Sequence, residues 1–187
     1  MTAYDYSSLV NKIDVISQDA YRMGRIENVR YDPHDYTITG LVVRVEKEIS
    51  NMIGGGSSKS RVLIKPESFA LNDVLLLSDT VEDATAYIQP DIETISSVDG
   101  FEGRDVITSE HKQLGTIKSI YLDLDGWFVD SFEIKLDKEA HAPLGLKKLL
   151  VSKCIRGVKA DHISVMADSI ILSLTMDDVK EIMLLDD

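Results

Sequence analysis

Short runs of alternating apolar and polar residues recur along the chain and predict β-strands. The clearest are Ile26 to Tyr31 and Ile117 to Leu122, where β-branched residues alternate with polar ones. Each run is followed by a turn that combines aspartate with proline or glycine, and then by a longer apolar run, at Tyr36 to Glu46 and at Trp127 to Asp137. The pattern predicts two β-hairpins of the same design.

The two hairpins belong to an internal repeat with a spacing of 91 residues. Asp14 to Lys47 aligns with Asp105 to Lys138 without a gap, and seven of the 34 aligned positions are identical. The shared glycine, Gly24 or Gly115, follows a polar loop that it is expected to close by adopting a positive φ. A repeat of this length has the size of a small domain and is too long for a solenoid unit.

We therefore predict two related domains, at residues 1–89 and 98–187, joined by a linker around Gln89 to Ser97. Further strands are predicted at 61–65, 74–77, 162–166 and 169–174. The segment from Met176 to Leu185 has apolar residues at helical spacing behind a carboxylate-rich first turn, which predicts a helix. The predicted fold is mainly β: two tandem small barrels with a short C-terminal helix.

Composition narrows the classes of partner. The chain has 32 acidic and 20 basic side chains, a formal net charge of -12. Such a surface repels phosphate backbones, so no nucleic-acid partner is expected. One cysteine cannot form an internal disulfide, no apolar stretch is long enough to cross a bilayer, and the N-terminus lacks a secretion signal. These features predict a cytoplasmic protein without direct membrane insertion.

Motifs that could carry catalysis are weak. Gly54 to Ser60 is similar to a phosphate-binding loop, but Ser58 stands where that loop requires glycine, which favours a flexible hairpin loop. The four histidines lie far apart, although a composite metal site from distant loops stays open. Cys154 has cationic neighbours but no adjacent histidine or acid. We expect no enzyme activity and no catalytic, cofactor-binding or metal-binding residues.

Aromatic residues provide the candidate partner-binding surface. Trp127 and Phe128 are adjacent, so within a strand their side chains would point to opposite faces, and one of them would be exposed. Tyr36 takes the place of Trp127 in the first copy. We predict that Trp127, Phe128 and Tyr36 bind a protein partner. The alternative is that the second aromatic packs against the neighbouring barrel or the C-terminal helix.

The second copy resembles the PRC-barrel domain. The resemblance lies in Gly103 to Ile107, in Gly115 to Asp123, and in the spacing of Val129, Phe132 and Ile134. The first copy resembles the same domain more distantly, because it has Lys12 where the second copy has Gly103. This resemblance implies a small PRC-type β-barrel in each half.

The resemblance also implies a role. PRC barrels occur in the photosynthetic reaction-centre H subunit, which carries a membrane helix, in the ribosome-maturation factor RimM, which has a different N-terminal barrel, and in stand-alone archaeal proteins. The last group is more similar and includes CdpB-type cell-division adaptors that contact SepF, the membrane anchor of the FtsZ ring. The implied function is a non-catalytic adaptor without a cofactor, recruited to the division site by a SepF-type protein. A RimM-like RNA-processing factor and a small-molecule sensor are the alternatives.

Self-association is a further expectation. Two small barrels in series leave edge strands and apolar faces that must be covered. The same surface of a second copy, related by a two-fold axis, would cover them, so we predict a homodimer.

Overall fold

The computed structural model describes residues 3–54, 61–66, 69–88, 91–146 and 153–185. Its contacts divide the chain into two compact units. The N-terminal unit is Tyr6–Asp99, and the C-terminal unit is Gly100–Asp187 together with the first five residues. The division predicted from sequence, at 1–89 and 98–187, differs from this one in its assignment of residues 1–5 and 90–99.

The N-terminal unit is built on a six-stranded sheet. Its helices and strands are α1 (Tyr6–Leu9), β2 (Asp14–Ile16), β3 (Arg22–Tyr31), β4 (Ile38–Val45), α2 (Lys47–Met52), β5 (Arg61–Ile64), β6 (Phe69–Leu71) and β7 (Leu75–Leu77). Short 3-10 helices follow at Asp83–Tyr87, Ile92–Thr94 and, crossing into the next unit, Val98–Phe101. The strand order is β5-β4-β3-β2-β7-β6, in which only β2 and β7 pair in parallel.

The C-terminal unit has a seven-stranded sheet. Its elements are β1 (Ala3–Asp5), β8 (Asp105–Ile107), β9 (Gln113–Asp123), β10 (Phe128–Leu136), α3 (Lys138–His141), β11 (Cys154–Lys159), a 3-10 helix (Ala160–His162), β12 (Ile163–Met166), β13 (Ser169–Leu172) and α4 (Met176–Leu185). The strand order is β11-β10-β9-β8-β13-β12, and β1 pairs separately with β9. Strands β8 and β13 form the parallel pair.

The two sheets have the same topology, which confirms that the copies fold alike. Strand for strand, β2 to β7 correspond to β8 to β13 in both order and direction. The agreement extends to single residues 91 positions apart: the turn residues Tyr36 and Trp127 both have left-handed backbones, with φ of 62° and 59°. The predicted fold class is confirmed as mainly β, with two curled sheets that form half-barrels and a short C-terminal helix.

The shared glycine has the expected positive φ in the first copy, where φ of Gly24 is 154°, but both glycines have a further role. Gly24 and Gly115 lie inside β3 and β9 rather than in the preceding loop. A Cβ atom at Gly115 would collide with the backbone carbonyl oxygen of Lys135 on the neighbouring strand, and at Gly24 it would collide with the corresponding oxygen of Arg44. The close approach of two backbones therefore accounts for glycine at both positions.

Equivalent pairs of hydrogen-bonded threonine and aspartate extend the repeat beyond Lys138. The Thr175 hydroxyl accepts a hydrogen bond from the Asp178 backbone N–H at 3.2 Å, and the Asp178 carboxylate accepts one from the Thr175 N–H at 2.7 Å. This capping box begins α4, whose predicted bounds are confirmed. In the first copy, the Thr80 hydroxyl likewise accepts a bond from the Asp83 N–H at 3.3 Å and donates one to the Asp83 carboxylate at 2.7 Å. The sequence offset between these two pairs is 95 residues, so the second copy carries a net insertion of four.

The core of each unit lies on the inner face of its curled sheet. Its central buried side chains in the two units are Ile26, Val29, Leu41 and Val43, and Ile117, Ile120, Phe132 and Ile134. Within the described parts of the chain, the helices are too short or too polar to span a membrane.

Candidate functional site

An apolar strip crosses three strands on the outer face of the N-terminal sheet. Strand pairing places Ile16 beside Leu76, and Leu76 beside Ala70 on the edge strand β6. Side chains of directly paired residues share a face of the sheet, so these three form one row, here called the first strip. Leu76 is 45% exposed, although its chain neighbours Leu75 and Leu77 are buried. The row therefore presents apolar surface to solvent.

The C-terminal unit carries the same feature at equivalent positions. Ile107 pairs with Ile171, and Ile171 pairs with Val165 on the edge strand β12. Val165 is 50% exposed, and the two isoleucines are partly buried. These residues form the second strip. Each copy thus carries one apolar row across its three short strands.

The strips differ in the polar residues near them. Beside the first strip, Asp14 accepts hydrogen bonds from Arg22 and Arg25, both at 2.9 Å, and these bonds hold the pKa of Asp14 below its ordinary value. The positions equivalent to Arg22 and Arg25 are Gln113 and Thr116. The apolar centre is therefore common to both copies, whereas the cationic neighbours belong to the first copy.

A second candidate site surrounds a buried carboxylate in the C-terminal unit. The Glu133 side chain, on β10, is only 6% exposed. It lies 3.1 Å from Lys118 Nζ, 3.7 Å from Arg156 Nε and 3.5 Å from the Tyr121 hydroxyl. Burial opposes the charge of Glu133, but the hydrogen bond from Lys118 and the charges of Lys118 and Arg156 prevail and hold its pKa below the ordinary value. The carboxylate therefore stays ionised and fixes two cations at the surface.

A cavity of about 480 Å³ opens beside this carboxylate. Its lining residues are Glu133, Leu146, Lys153, Cys154, Ile155, Arg156 and Met183. One part of the wall is apolar, and the other carries the cations Lys153 and Arg156. The cavity is therefore suited to a ligand that has both apolar and anionic groups.

The same face of the N-terminal sheet is covered by the chain itself. Residues Asp91 to Ser97, here called the cover segment, lie against it, and Ile92 and Ile95 pack on Val42 and Leu63. The predicted linker around Gln89 to Ser97 is thus, in its described part, a packed component of the N-terminal unit.

Polar contacts also hold the cover segment. Glu93 accepts hydrogen bonds from Arg61 at 2.8 Å and from the buried Arg30 at 3.4 Å. Arg30 also donates to the Ile95 carbonyl at 3.0 Å, and the Tyr31 N–H donates to the Ser96 carbonyl at 3.1 Å. The segment is therefore bound by apolar, ionic and backbone contacts together.

The structure corrects the geometry expected for the aromatic residues. Trp127 lies in the turn before β10 and not in the strand, so it does not alternate with Phe128. Phe128 begins the strand, and its ring covers Gly126. Tyr36 stacks on the core residue Tyr31 with 6.2 Å between ring centroids, and burial raises its pKa. All three predicted residues are partly buried, and their role in partner binding remains a prediction.

Replacing Trp127 by alanine tests whether this residue anchors a partner or belongs to the core. As an anchor, Trp127 should contribute to partner binding and little to folding. We expect the melting temperature to change by only a few degrees and partner binding to weaken by about 2 kcal/mol. Thermal melting and calorimetric titration on the same variant measure both. A stability loss of about 3 to 5 kcal/mol would identify Trp127 as a core residue instead.

Other sequence candidates are not brought together. No group of three or more potential metal ligands occurs within the described ranges. Residues 55–60, which include most of the glycine-rich loop, lie outside those ranges. Cys154 is a partly buried free thiol at the cavity wall.

The strips and the cavity are sites that sequence reasoning missed. Leu75 to Leu77 reads as a uniformly apolar run, and only the pairing of β7 with β2 and β6 shows that its middle residue faces outward. A sequence alignment of the two copies with an offset of 95 residues in this region matches Leu76 with Ile171. That match is a signal that could have revealed the second strip.

Comparisons with known proteins leave the family unassigned. No protein-family model matches the chain, and no curated protein matches it. Among solved structures, the chain is similar to the 16S ribosomal RNA processing protein RimM from Pseudomonas aeruginosa, with 13% sequence identity and a TM-score of 0.31 over 81% of this chain and 97% of that chain. A similarity at this score carries no argument about fold or function, so the sites are interpreted from their own residues.

Proposed function

We propose that the protein is a non-catalytic adaptor in which each copy binds a protein partner through its apolar strip. The observation that carries this proposal is the recurrence of the strip at equivalent positions of both copies. A single exposed leucine is ordinary on a protein surface, but two equivalent apolar rows that each reach an edge strand indicate a repeated binding surface.

Burial of the apolar strips by a partner would provide the main stabilisation of such a complex. Removal of apolar surface from water contributes about 25 cal/mol for each Å² buried. Leu76 in the first strip and Val165 in the second are the most exposed large apolar residues of their rows, so they would gain most. Ion pairs such as Asp14 with Arg25 would lie at the rim of the interface, where charges govern specificity more than affinity.

The finer part of the proposal concerns the partner. The resemblance of the second copy to the PRC barrel supports a SepF-type division protein as partner, and hence an adaptor in archaeal cell division that acts in the cytoplasm and is recruited to the division site. The predicted homodimer would use the same kind of surface, because an edge strand with an apolar row can also pair with a second copy.

Aspartate substitutions in the strips test the proposal. The partner in this test is a purified archaeal SepF-type protein. We expect Leu76→Asp to weaken its binding to the first strip, and Val165→Asp to weaken its binding to the second strip. Each loss should be at least about tenfold, or 1.4 kcal/mol. Both residues are exposed, so melting temperatures should change by only a few degrees. Met52→Asp, at a 55% exposed position in α2 outside both strips, is the matched control for the added charge.

The possible outcomes separate the parts of the proposal. Binding by the double variant at wild-type affinity would show that the strips are not the interface. No binding of the SepF-type protein by the wild type would reject that partner. If the wild type then sediments as a dimer and the double variant as a monomer, the strips bind a second copy of the chain.

A further inference from the structure

We infer that the cavity beside Glu133 in the C-terminal unit binds an extended acidic peptide segment of a partner protein. This site is separate from the apolar strips and does not depend on their function. The inference rests on the chemistry of the cavity wall and on the way the equivalent face of the N-terminal unit is occupied.

The charge of the cavity region is opposite to that of the protein as a whole. Lys118 and Arg156 lie close to the Glu133 carboxylate and Lys153 lies in the cavity wall, and Glu133 is the one acidic residue among the described residues that line the cavity, whereas the chain has a net charge of -12. Side-chain exposures of 51% for Lys118 and 66% for Arg156 leave both cations accessible from outside. A local excess of positive charge in an acidic protein selects an anionic ligand.

Glu133 preorganises these cations. Its side chain is almost fully buried and accepts a hydrogen bond from Lys118 at 3.1 Å, and its carboxylate attracts Arg156, whose Nε lies 3.7 Å away, so both cations are drawn to the same place before a ligand arrives. Fixing long side chains in advance reduces the entropy that binding would otherwise cost. The N–H groups of the Arg156 guanidinium can donate to an incoming carboxylate.

The N-terminal unit shows how this face of the fold is covered. There the cover segment places two isoleucines on the sheet and the carboxylate of Glu93 on two arginines. At the matching positions of the C-terminal sheet, Glu133 replaces Val42 and Lys118 replaces Glu27. Tyr121 and Cys154 stand at the matching positions of Arg30 and Arg61, so the cations of this face lie instead at Lys118, Lys153 and Arg156, while Leu146, Ile155 and Met183 provide an apolar wall.

These features favour one class of ligand. A small inorganic anion would make no use of the apolar wall, and the overall negative charge of the protein disfavours a nucleic acid. A peptide with a carboxylate flanked by aliphatic residues fits both parts of the cavity. The cover segment itself, Asp-Ile-Glu-Thr-Ile-Ser-Ser, has this pattern and is a suitable probe.

The experiment is a fluorescence-anisotropy titration of the full chain with the labelled Asp-Ile-Glu-Thr-Ile-Ser-Ser peptide. We expect saturable binding that weakens with added salt and at least tenfold weaker binding of a peptide with lysine in place of its glutamate. The variant with Lys153→Glu and Arg156→Glu should also bind at least tenfold more weakly. Lys12→Glu, an exposed charge reversal in the other unit, should bind as the wild type does.

Several results would overturn the inference. The first is the absence of peptide binding at about 1 mM, a concentration that would detect even a weak complex. The second is equal affinity for the lysine-containing peptide. The third is an undiminished affinity in the variant with Lys153→Glu and Arg156→Glu. Competition by inorganic phosphate or single-stranded RNA at concentrations below those of the peptide would assign the cavity to those ligands instead. Leu76→Asp and Val165→Asp should bind the peptide normally, so this test is independent of the strips.

Discussion

Alanine at Gly115 is expected to destabilise the C-terminal unit strongly. The new Cβ atom would collide with the Lys135 carbonyl oxygen and lie 2.9 Å from the carbonyl carbon and 3.0 Å from the Leu136 Cα. These are backbone atoms of a paired strand and cannot move aside as a flexible side chain would. We expect a loss of about 3 kcal/mol or more in the free energy of unfolding, measured by urea denaturation.

The equivalent change in the first copy provides an internal comparison. Gly24→Ala would place its Cβ atom 3.0 Å from the Arg44 carbonyl carbon, so we expect a loss of similar size in the N-terminal unit. Gly100→Ala is the control, because the nearest atom to its Cβ would be a side-chain nitrogen of Arg104 at 4.0 Å. Wild-type stability of Gly115→Ala would show that β9 and β10 are not paired as described.

Truncation of Phe132 should have the second-largest effect. Phe132 is 1% exposed, and its ring packs on that of Phe101 with 5.0 Å between centroids. Phe132→Ala removes most of this buried ring and leaves a cavity in a close-packed core, so we expect a loss of about 3 to 5 kcal/mol. Urea denaturation of the full chain measures it.

Phe128 provides a matched control for this truncation. It begins the same strand but is only partly buried, so Phe128→Ala should cost clearly less than Phe132→Ala. Equal losses for the two variants would contradict the description of Phe132 as the buried aromatic residue of β10.

The repeat made much of the fold predictable. Once Asp14 to Lys47 is aligned with Asp105 to Lys138, each copy supports the strands of the other, and the start of α4 follows from its carboxylates. Errors arise where local pattern and long-range contact disagree. The pattern predicts that Trp127 and Tyr36 begin strands, but both lie in the turn before the strand and have left-handed backbones.

The sites were harder to predict because they depend on strand pairing. Nothing local distinguishes the exposed Leu76 from its buried neighbours. Likewise, Lys118, Glu133 and Arg156 lie on three different strands, and only the order β11-β10-β9 brings them together. A sequence motif cannot report such a cluster, because its members have no fixed spacing.

The side chains of the two copies differ most on the outer faces of the two sheets. The glycine contacts and the threonine–aspartate hydrogen-bond pairs recur, whereas Val42 under the cover segment becomes Glu133 at an open cavity. A duplicated sheet with divergent surfaces can bind different partners from one scaffold, and the shared strips would retain a common binding mode.

The stoichiometry of the complex tests most directly whether both copies bind a partner. Sedimentation equilibrium of the chain with an excess of a purified SepF-type protein should show two partner molecules bound to each wild-type chain, one to Leu76→Asp, one to Val165→Asp and none to the double variant. A single partner molecule on the wild-type chain, or unchanged stoichiometry in both single variants, would contradict the proposal that the two strips are equivalent binding surfaces.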